Sequence, residues 1–174
     1  MLPLAFADSA RFSQGHYEAS VIDAVRIIME SEAPISRRLL VKRLLSGYNI
    51  RNSARINAYL EDLFGRLGLV ASGTDEVFYW KDREQLENYS GYRSASGREA
   101  LDIPPEEVAQ AVLQVVEDQF AIDEAGLIVE TARMFGYASV RDNIAASMKR
   151  GIAHAVERQK IFLEGGRYRM NRMK

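Results

Sequence analysis

The sequence predicts a mainly helical α+β fold made of two similar modules in tandem. Residues 21–80 and 108–170 carry the same order of apolar and punctuating residues. Each copy has apolar positions at helical spacing, then a Gly-Tyr dipeptide, and ends in two short β-type runs around a turn. With 174 residues, the chain is long enough for two domains of about 65–70 residues each.

The first helix of each copy is predicted by apolar residues that recur every three or four positions. In the first copy these residues are Val21, Ala24, Val25, Ile28 and Met29. The matching residues of the second copy are Val108, Ala111, Val112, Val115 and Val116. We expect both sets to be buried, because this spacing places them on one face of a helix.

The second helix of each copy is predicted to begin with a cap and a hydrophobic staple. Ser36 is the expected cap of the first copy, and Ile35 before it is positioned to pack on Leu40. The corresponding residues of the second copy are Asp123, Ile122 and Leu127. We expect these helices to end at Gly47-Tyr48 and Gly136-Tyr137, since glycine adopts the left-handed conformation that closes a helix.

A third helix and a hairpin complete each copy. The apolar stripe of the helix is Ile56, Leu60, Leu63, Phe64 and Leu67 in one copy and Ile144, Met148, Ile152, Ala155 and Val156 in the other. The predicted hairpin strands are Leu69–Ala71 with Val77–Trp80, and Ile161–Leu163 with Tyr168–Met170. Three helices followed by a two-stranded wing are the layout of a winged helix-turn-helix module.

The predicted organisation is an N-terminal arm at 1–17, a first winged-helix module at 18–81, a linker at 82–102 and a second module at 103–174. The arm has no clear pattern, and it either packs on the first module or is a fragment of a preceding domain. The linker is rich in Ser, Gly, Tyr and charge and has no sustained periodicity. Glu106 and Glu107 then suit the first turn of a helix as partners of its dipole.

Composition excludes several classes of protein. The net charge is −1, which argues against binding nucleic acid by bulk charge. The chain has no cysteine, so disulfides and thiolate metal sites are excluded. No apolar run approaches the roughly 20 residues that a membrane span needs, and Met1–Phe6 is too short for a secretory signal. We expect a cytoplasmic protein with no membrane association.

Residues that could perform catalysis do not cluster in this sequence. There is no phosphate-binding G-x-x-x-x-G-K-[ST] motif. The two histidines, His16 and His154, lie far apart, and no group of ligands suggests a zinc site. We therefore expect no catalytic residues, no metal and no cofactor, and the chain is predicted not to be an enzyme.

Basic residues are concentrated in the first copy. From Ala33 to Leu60 there are six basic residues and no acidic one. In helix-turn-helix proteins the later helix enters the major groove while the preceding helix crosses the phosphates. The predicted groove or backbone contacts are Arg51, Asn52, Ser53 and Arg55, and the predicted phosphate contacts are Arg37, Arg38, Lys42 and Arg43. The second copy offers Arg141, Asn143, Lys149 and Arg150.

The first copy resembles a known bacterial domain. Its residues Glu32-Ala33-Pro34-Ile35, the basic segment Arg37–Leu45, Gly47-Tyr48 and the spacing from Arg51 to Ile56 are similar to a small C-terminal domain of uncharacterised function. That domain is found in large superfamily-1 DNA helicase-related proteins. The resemblance implies a DNA-binding accessory module at the C-terminal end of a helicase-like protein, with the motor domain as a partner.

A second function remains open. Winged helices also serve as protein-docking modules, and six basic residues on two helices can simply form a solvated face. The alternative is therefore a structural module that positions a motor domain or another protein, or that forms a homodimer, without contacting DNA.

Overall fold

The computed structural model describes residues 8–171, and these residues are mainly helical with two small antiparallel sheets. The chain divides into two compact units, Met1–Glu87 and Asn88–Lys174, each with its own apolar core. Residues 1–7 of the predicted N-terminal arm and residues 172–174 of the predicted second module lie outside the described residues. No helix between residues 8 and 171 is long and apolar enough to cross a membrane.

The first unit combines five helices of the described chain with a three-stranded sheet. In chain order its elements are α1 (Ser9–Ser13), α2 (Glu18–Glu32), β1 (Ile35–Ser36), α3 (Arg37–Tyr48), α4 (Ala54–Leu67), β2 (Val70–Ser72), β3 (Phe78–Trp80) and α5 (Arg83–Glu87). The strands lie in the order β1-β3-β2, with Ile35 opposite Tyr79 and Val70 opposite Trp80. The five predicted apolar residues of α2 are all buried, which confirms that stripe.

The start of α3 is as predicted, but the residue that closes the helix is not. The Leu39 N–H donates to Ser36 Oγ at 3.0 Å, and Ile35 and Leu40 are both buried. The helix ends at Tyr48, within the predicted Gly47-Tyr48, but the prediction that Gly47 supplies the left-handed closing residue is wrong, because Asn49 takes that role with a φ of 53°. Asparagine is one of the few residues other than glycine that adopt this conformation, and the Tyr48 ring lies in the core.

The second unit has the same order of three helices and a hairpin. Its elements are a 3₁₀ turn (Ala100–Asp102), α6 (Pro105–Gln119), α7 (Glu124–Met134), α8 (Asp142–Glu157), β4 (Ile161–Glu164) and β5 (Arg167–Met170). Ile122 forms an isolated bridge with Tyr168 of β5, at the position that Ile35 of β1 occupies in the first unit. Asp123 accepts a hydrogen bond from the Gly126 N–H at 2.8 Å and so caps α7 as predicted.

The apolar stripes of the second unit follow the prediction with one exception. All five predicted residues of α6 are buried, as are Met148, Ile152 and Ala155 of α8. Val156 is 40% exposed, so its assignment to the core stripe is wrong. It lies near the C-terminal end of α8, next to Ala155, which takes the inward position. Gly136 follows α7 with a φ of +88°, as expected of a left-handed closing residue.

The described part of the N-terminal arm belongs to the first unit. Asp8 caps α1, and the Phe12 ring is fully buried. Phe12 packs edge to face against Tyr48 and Tyr59, with ring centroids 5.3 and 5.7 Å apart. Of the two alternatives for the arm, residues 8–17 therefore follow the first and pack on the module.

The segment predicted as a linker, 82–102, is folded. Residues 83–87 form α5 of the first unit, and residues 88–102 belong to the second. Arg93 and Arg98 donate hydrogen bonds of 2.8–3.2 Å to the carboxylate of Glu107, which is fully buried in α6. Glu107 lies in the first turn of α6, as predicted, but its main partners are these two arginines, which the prediction did not include. Its partners lie before the helix in the chain, where helical periodicity does not reveal them.

Each unit has a short segment that packs on its third helix. In the first unit α1 contacts α4. In the second unit the 3₁₀ turn contacts α8, where Ser147 Oγ donates to the Ala100 carbonyl at 2.6 Å. The internal repeat thus extends further towards the N-terminus than the sequence pattern indicates.

Candidate nucleic-acid interface

The connection between α3 and α4 exposes the first turn of α4. The side chain of Ile50 is buried and holds the connection on the core. Ser53 Oγ then accepts a hydrogen bond from the Ile56 N–H at 3.3 Å and caps α4. Arg51, Asn52 and Arg55 surround this helix end and are all exposed. The hydroxyl of Ser53, predicted as a DNA contact, is occupied by the cap.

The outer face of α3 continues this basic surface. Leu40 and Leu44 are fully buried and orient the helix, which leaves Arg38 and Lys42 exposed one turn apart. Arg38 and Asn52 line a groove of about 380 Å³. The groove is lined by Arg37, Arg38, Val41, Asn52, Asn57, Glu61, Asp75, Glu76 and Val77. It therefore joins the two predicted contact sets with the turn of the β2–β3 hairpin.

Acidic residues from outside the basic segment fold against it. Arg37 Nη2 lies 3.2 Å from Glu61 Oε2, and Arg43 Nε lies 3.2 Å from both carboxylate oxygens of Glu32. The segment 33–60 contains no acidic residue, but the fold brings carboxylates from outside the segment into contact with two of its arginines. Arg37 and Arg43 are therefore poorer phosphate ligands than the sequence suggests, because a phosphate would have to displace a carboxylate from each.

The remaining cations form a smaller surface. Lys42, Arg51 and Arg55 are exposed and have no ion pair among residues 8–171. Asn57 lines the groove with Asn52 and was missed by sequence reasoning. The sequence does contain the information needed to identify Asn57. It follows Ser53 by one helical turn, and its amide group can hydrogen-bond to the edge of a base.

The second unit does not assemble an equivalent surface. Arg141, Asn143 and Lys149 are exposed on or before α8, but Arg150 Nη2 donates to Ser147 Oγ at 3.3 Å. The helix that should cross the phosphates, α7, has one basic residue, Arg133, and it is paired with Glu130. The sequence predicted four contacts here, and three of these residues are exposed in the structure, whereas Arg150 is half-buried.

Within residues 8–171, no group of three or more His, Asp or Glu side chains is arranged to hold a metal ion. Comparisons of the chain with family models, with curated proteins and with solved structures found no match. The resemblance to the helicase-associated domain therefore stays a prediction that rests on the sequence motifs.

Proposed function

We propose that this chain is a non-catalytic nucleic-acid-binding accessory module made of tandem winged helix-turn-helix units, and that the first unit contacts DNA. The order of elements supports the winged-helix assignment. In both units a residue before the second helix pairs with the second hairpin strand, at Ile35–Tyr79 and Ile122–Tyr168. In this arrangement α4 enters the major groove, α3 crosses the phosphate backbone and the β2–β3 hairpin is the wing.

The observation that carries the proposal is the exposed set Lys42, Arg51 and Arg55. Lys42 lies on α3, Arg55 lies on α4, and Arg51 lies in the connection between these two helices, which are the ones that a helix-turn-helix protein uses. No carboxylate among residues 8–171 forms an ion pair with these three side chains. The N-terminal end of α4 adds the positive end of its helix dipole and free backbone N–H groups, which favour a phosphate at this position. Asn52 and Asn57 then supply side chains that can read base edges.

The family resemblance provides the biological context of the proposal. It suggests that the chain is the C-terminal part of a DNA helicase-related protein, acting in the cytoplasm beside a motor domain. A net charge of −1 fits such a role, because the motor domain would supply most of the affinity for DNA and this module would position the motor on it.

Fluorescence anisotropy with a labelled duplex, at several salt concentrations, tests the proposal. The wild-type chain should bind with an affinity that falls as salt rises. The variant Lys42→Glu/Arg51→Glu should bind about 100-fold more weakly, since a hydrogen bond to a charged group contributes about 1.5 kcal/mol. The slope of log affinity against log salt should also fall by about two. Absence of wild-type binding at low salt would refute the proposal.

The alternative of a protein-docking module is favoured by a separate observation. The second unit exposes Phe120, Phe162 and Leu163, at 73%, 40% and 58% of their surface. Phe120 and Phe162 line one groove, and an exposed apolar surface on a folded unit typically marks an interaction site. If the duplex does not bind, while the chain still forms a complex through these residues, the docking function is the better assignment.

A further inference from the structure

Strand β4 of the second unit is an unprotected sheet edge. The two-stranded sheet has the order β4-β5, and β5 is flanked on its other side by the Ile122 bridge. Among residues 8–171, no strand therefore lies beside the other edge of β4. Natural proteins usually block such an edge with charge, proline or a bulge, yet β4 has the sequence Ile-Phe-Leu-Glu.

The hydrogen-bond pattern shows which residues face that free edge. The Asn171 N–H donates to the Lys160 carbonyl at 2.8 Å, so Lys160 directs its carbonyl towards β5. Because hydrogen-bonded pairs alternate along an antiparallel ladder, Phe162 and Glu164 also direct their backbone groups towards β5. Ile161 and Leu163 then direct their N–H and C=O groups outwards.

This alternation restricts how a second β4 could pair with the first. In such a pair, a residue whose backbone N–H and C=O point outwards must lie opposite a residue of the other copy whose groups also point outwards. This requires the twofold axis of the pair to pass through a residue of β4, not between two residues. When the axis passes through Phe162, Ile161 of each copy lies opposite Leu163 of the other, and all four outward groups of each strand find partners. This register also places Lys160 of each copy opposite Glu164 of the other.

The side chains match the same register. Lys160, Phe162 and Glu164 lie on one face of the strand because side chains alternate. The charged pairs therefore flank a central pair of phenylalanine rings, which is a favourable cross-strand combination. Glu164 already contacts Arg169 at 3.3 Å but keeps 68% of its side chain exposed, so it can accept a second cation.

An apolar groove lies beside Phe162 and would be covered by the same association. It is lined by Val116, Glu117, Phe120, Phe162, Arg169 and Met170. Phe120 has a φ of 60°, a conformation that costs energy for an aromatic residue. The Phe120 ring lies at the C-terminal end of α6 and is 73% exposed to solvent.

We propose that two copies of this chain associate through antiparallel pairing of their β4 strands, centred on Phe162. The partner is a second copy because the edge is self-complementary in backbone hydrogen bonding, in charge and in apolar contact. The proposal gives the docking alternative a specific partner, and it does not depend on DNA binding by the first unit.

Sedimentation velocity without nucleic acid, over a range of protein concentrations, tests the pairing. The wild-type chain should form a dimer. Leu163→Pro should abolish it, because proline removes an outward N–H that β5 does not use. Leu163→Ala is the matched control, since it keeps this N–H and should still dimerise. Circular dichroism should show that both variants are folded.

The register is tested by exchanging charge. Lys160→Glu should weaken self-association about tenfold, since two attractive cross-strand pairs become repulsive, and Glu164→Lys should act in the same direction. A mixture of the two single variants should form a heterodimer, detectable by native mass spectrometry, in which both pairs are again attractive. Arg83→Glu, which makes the same change of charge on α5, should leave the dimer unchanged.

Three results would overturn the proposal. These are a wild-type chain that stays monomeric at every concentration, a Leu163→Pro variant that still dimerises, and a mixture that shows no preference for the heterodimer. A monomeric chain would mean that this edge is left for a different partner. Because no DNA is present, none of these results bears on the proposed contact of the first unit with a duplex.

Discussion

The two units attach their N-terminal segments to the same framework by different chemistry. In the first unit an apolar ring, Phe12, enters the core and meets Tyr48 and Tyr59. In the second unit the attachment is ionic, because Arg93 and Arg98 bind the buried carboxylate of Glu107. The position on α2 that corresponds to Glu107 is Ser20, whose hydroxyl only shares a hydrogen bond with Tyr48 Oη at 2.7 Å. The comparison shows that a repeated fold does not require repeated contacts.

Removing the buried charge should have the largest effect. Glu107→Gln should destabilise the second unit by about 4 kcal/mol, because breaking a buried ion pair leaves its partners uncompensated. Ser20→Ala should cost the first unit only about 1 kcal/mol. Trp80 is the only tryptophan and lies in β3 of the first unit, so its fluorescence follows the unfolding of that unit. In urea denaturation Glu107→Gln should move the circular dichroism transition and leave the Trp80 transition in place.

Equal movement of both transitions in Glu107→Gln would contradict the assignment of this network to one unit. Absence of any movement would show that the ionic attachment does not stabilise the fold.

Truncating the aromatic attachment of the first unit should have the next largest effect. Phe12→Ala should destabilise that unit by about 3 kcal/mol, within the range for a buried phenylalanine, because the ring is fully buried in the core. Urea denaturation followed by Trp80 fluorescence measures this loss of stability. Phe12→Leu is the control and should retain most of the stability, since leucine still fills most of the site.

Acid should affect the second unit more than the first. Burial alone would raise the pKa of Glu107, but hydrogen bonds from Arg98 and Arg93 outweigh it and hold the pKa below its ordinary 4.5. A lowered pKa in the folded state contributes stability above pH 4.5, and this stability is lost as the pH falls through the folded-state value. In the first unit Arg66 also lowers the pKa of Glu18, but that pair is exposed and salt screens it.

The measurement for acid sensitivity is urea denaturation by both probes, from neutral pH to below 4.5. With added salt, the urea midpoint of the second unit, followed by circular dichroism, should still fall as the pH is lowered. The midpoint followed by Trp80 fluorescence should change little. Identical losses in both units would contradict the difference between the two attachments.

Helix caps provide the smallest expected difference. Ser53 caps α4 through its hydroxyl, whereas Arg141 at the start of α8 makes no side-chain cap. Ser53→Ala should therefore destabilise the first unit by about 1 kcal/mol, and Arg141→Ser should stabilise the second by a similar or smaller amount. Thermal denaturation measures both changes. A loss of stability in Arg141→Ser would show that the arginine has a structural role that its exposure does not indicate.

Sequence reasoning predicted the parts of this fold that depend on local patterns. The stripe beginning at Val21, the cap at Ser36 and the hairpin after Ile161 each follow from residue spacing, and the structure contains them. It missed the attachment segments, because Arg93 and Glu107 are paired across a loop and neither has a local signature. It also overestimated the basic surface, since the pairing of Arg43 with Glu32 depends on how α2 and α3 pack.

The candidate interface shows the same division between local and tertiary information. The exposure of Arg51 and Arg55 could be predicted from their place around a capped helix start. The sequence could not predict that Asp75 and Glu76 line the same groove as Arg38, because the sheet pairing places the hairpin turn beside α3.

Duplex binding by two charge-matched variants tests the central claim most directly, namely that the units share a fold but only the first contacts DNA. Lys42→Glu/Arg51→Glu reverses two exposed cations of the first unit, and Arg141→Glu/Lys149→Glu reverses two of the second. Fluorescence anisotropy at low salt should show binding lost in the first variant and retained within about twofold in the second. Equal loss in both variants, or loss only in the second, would contradict the account.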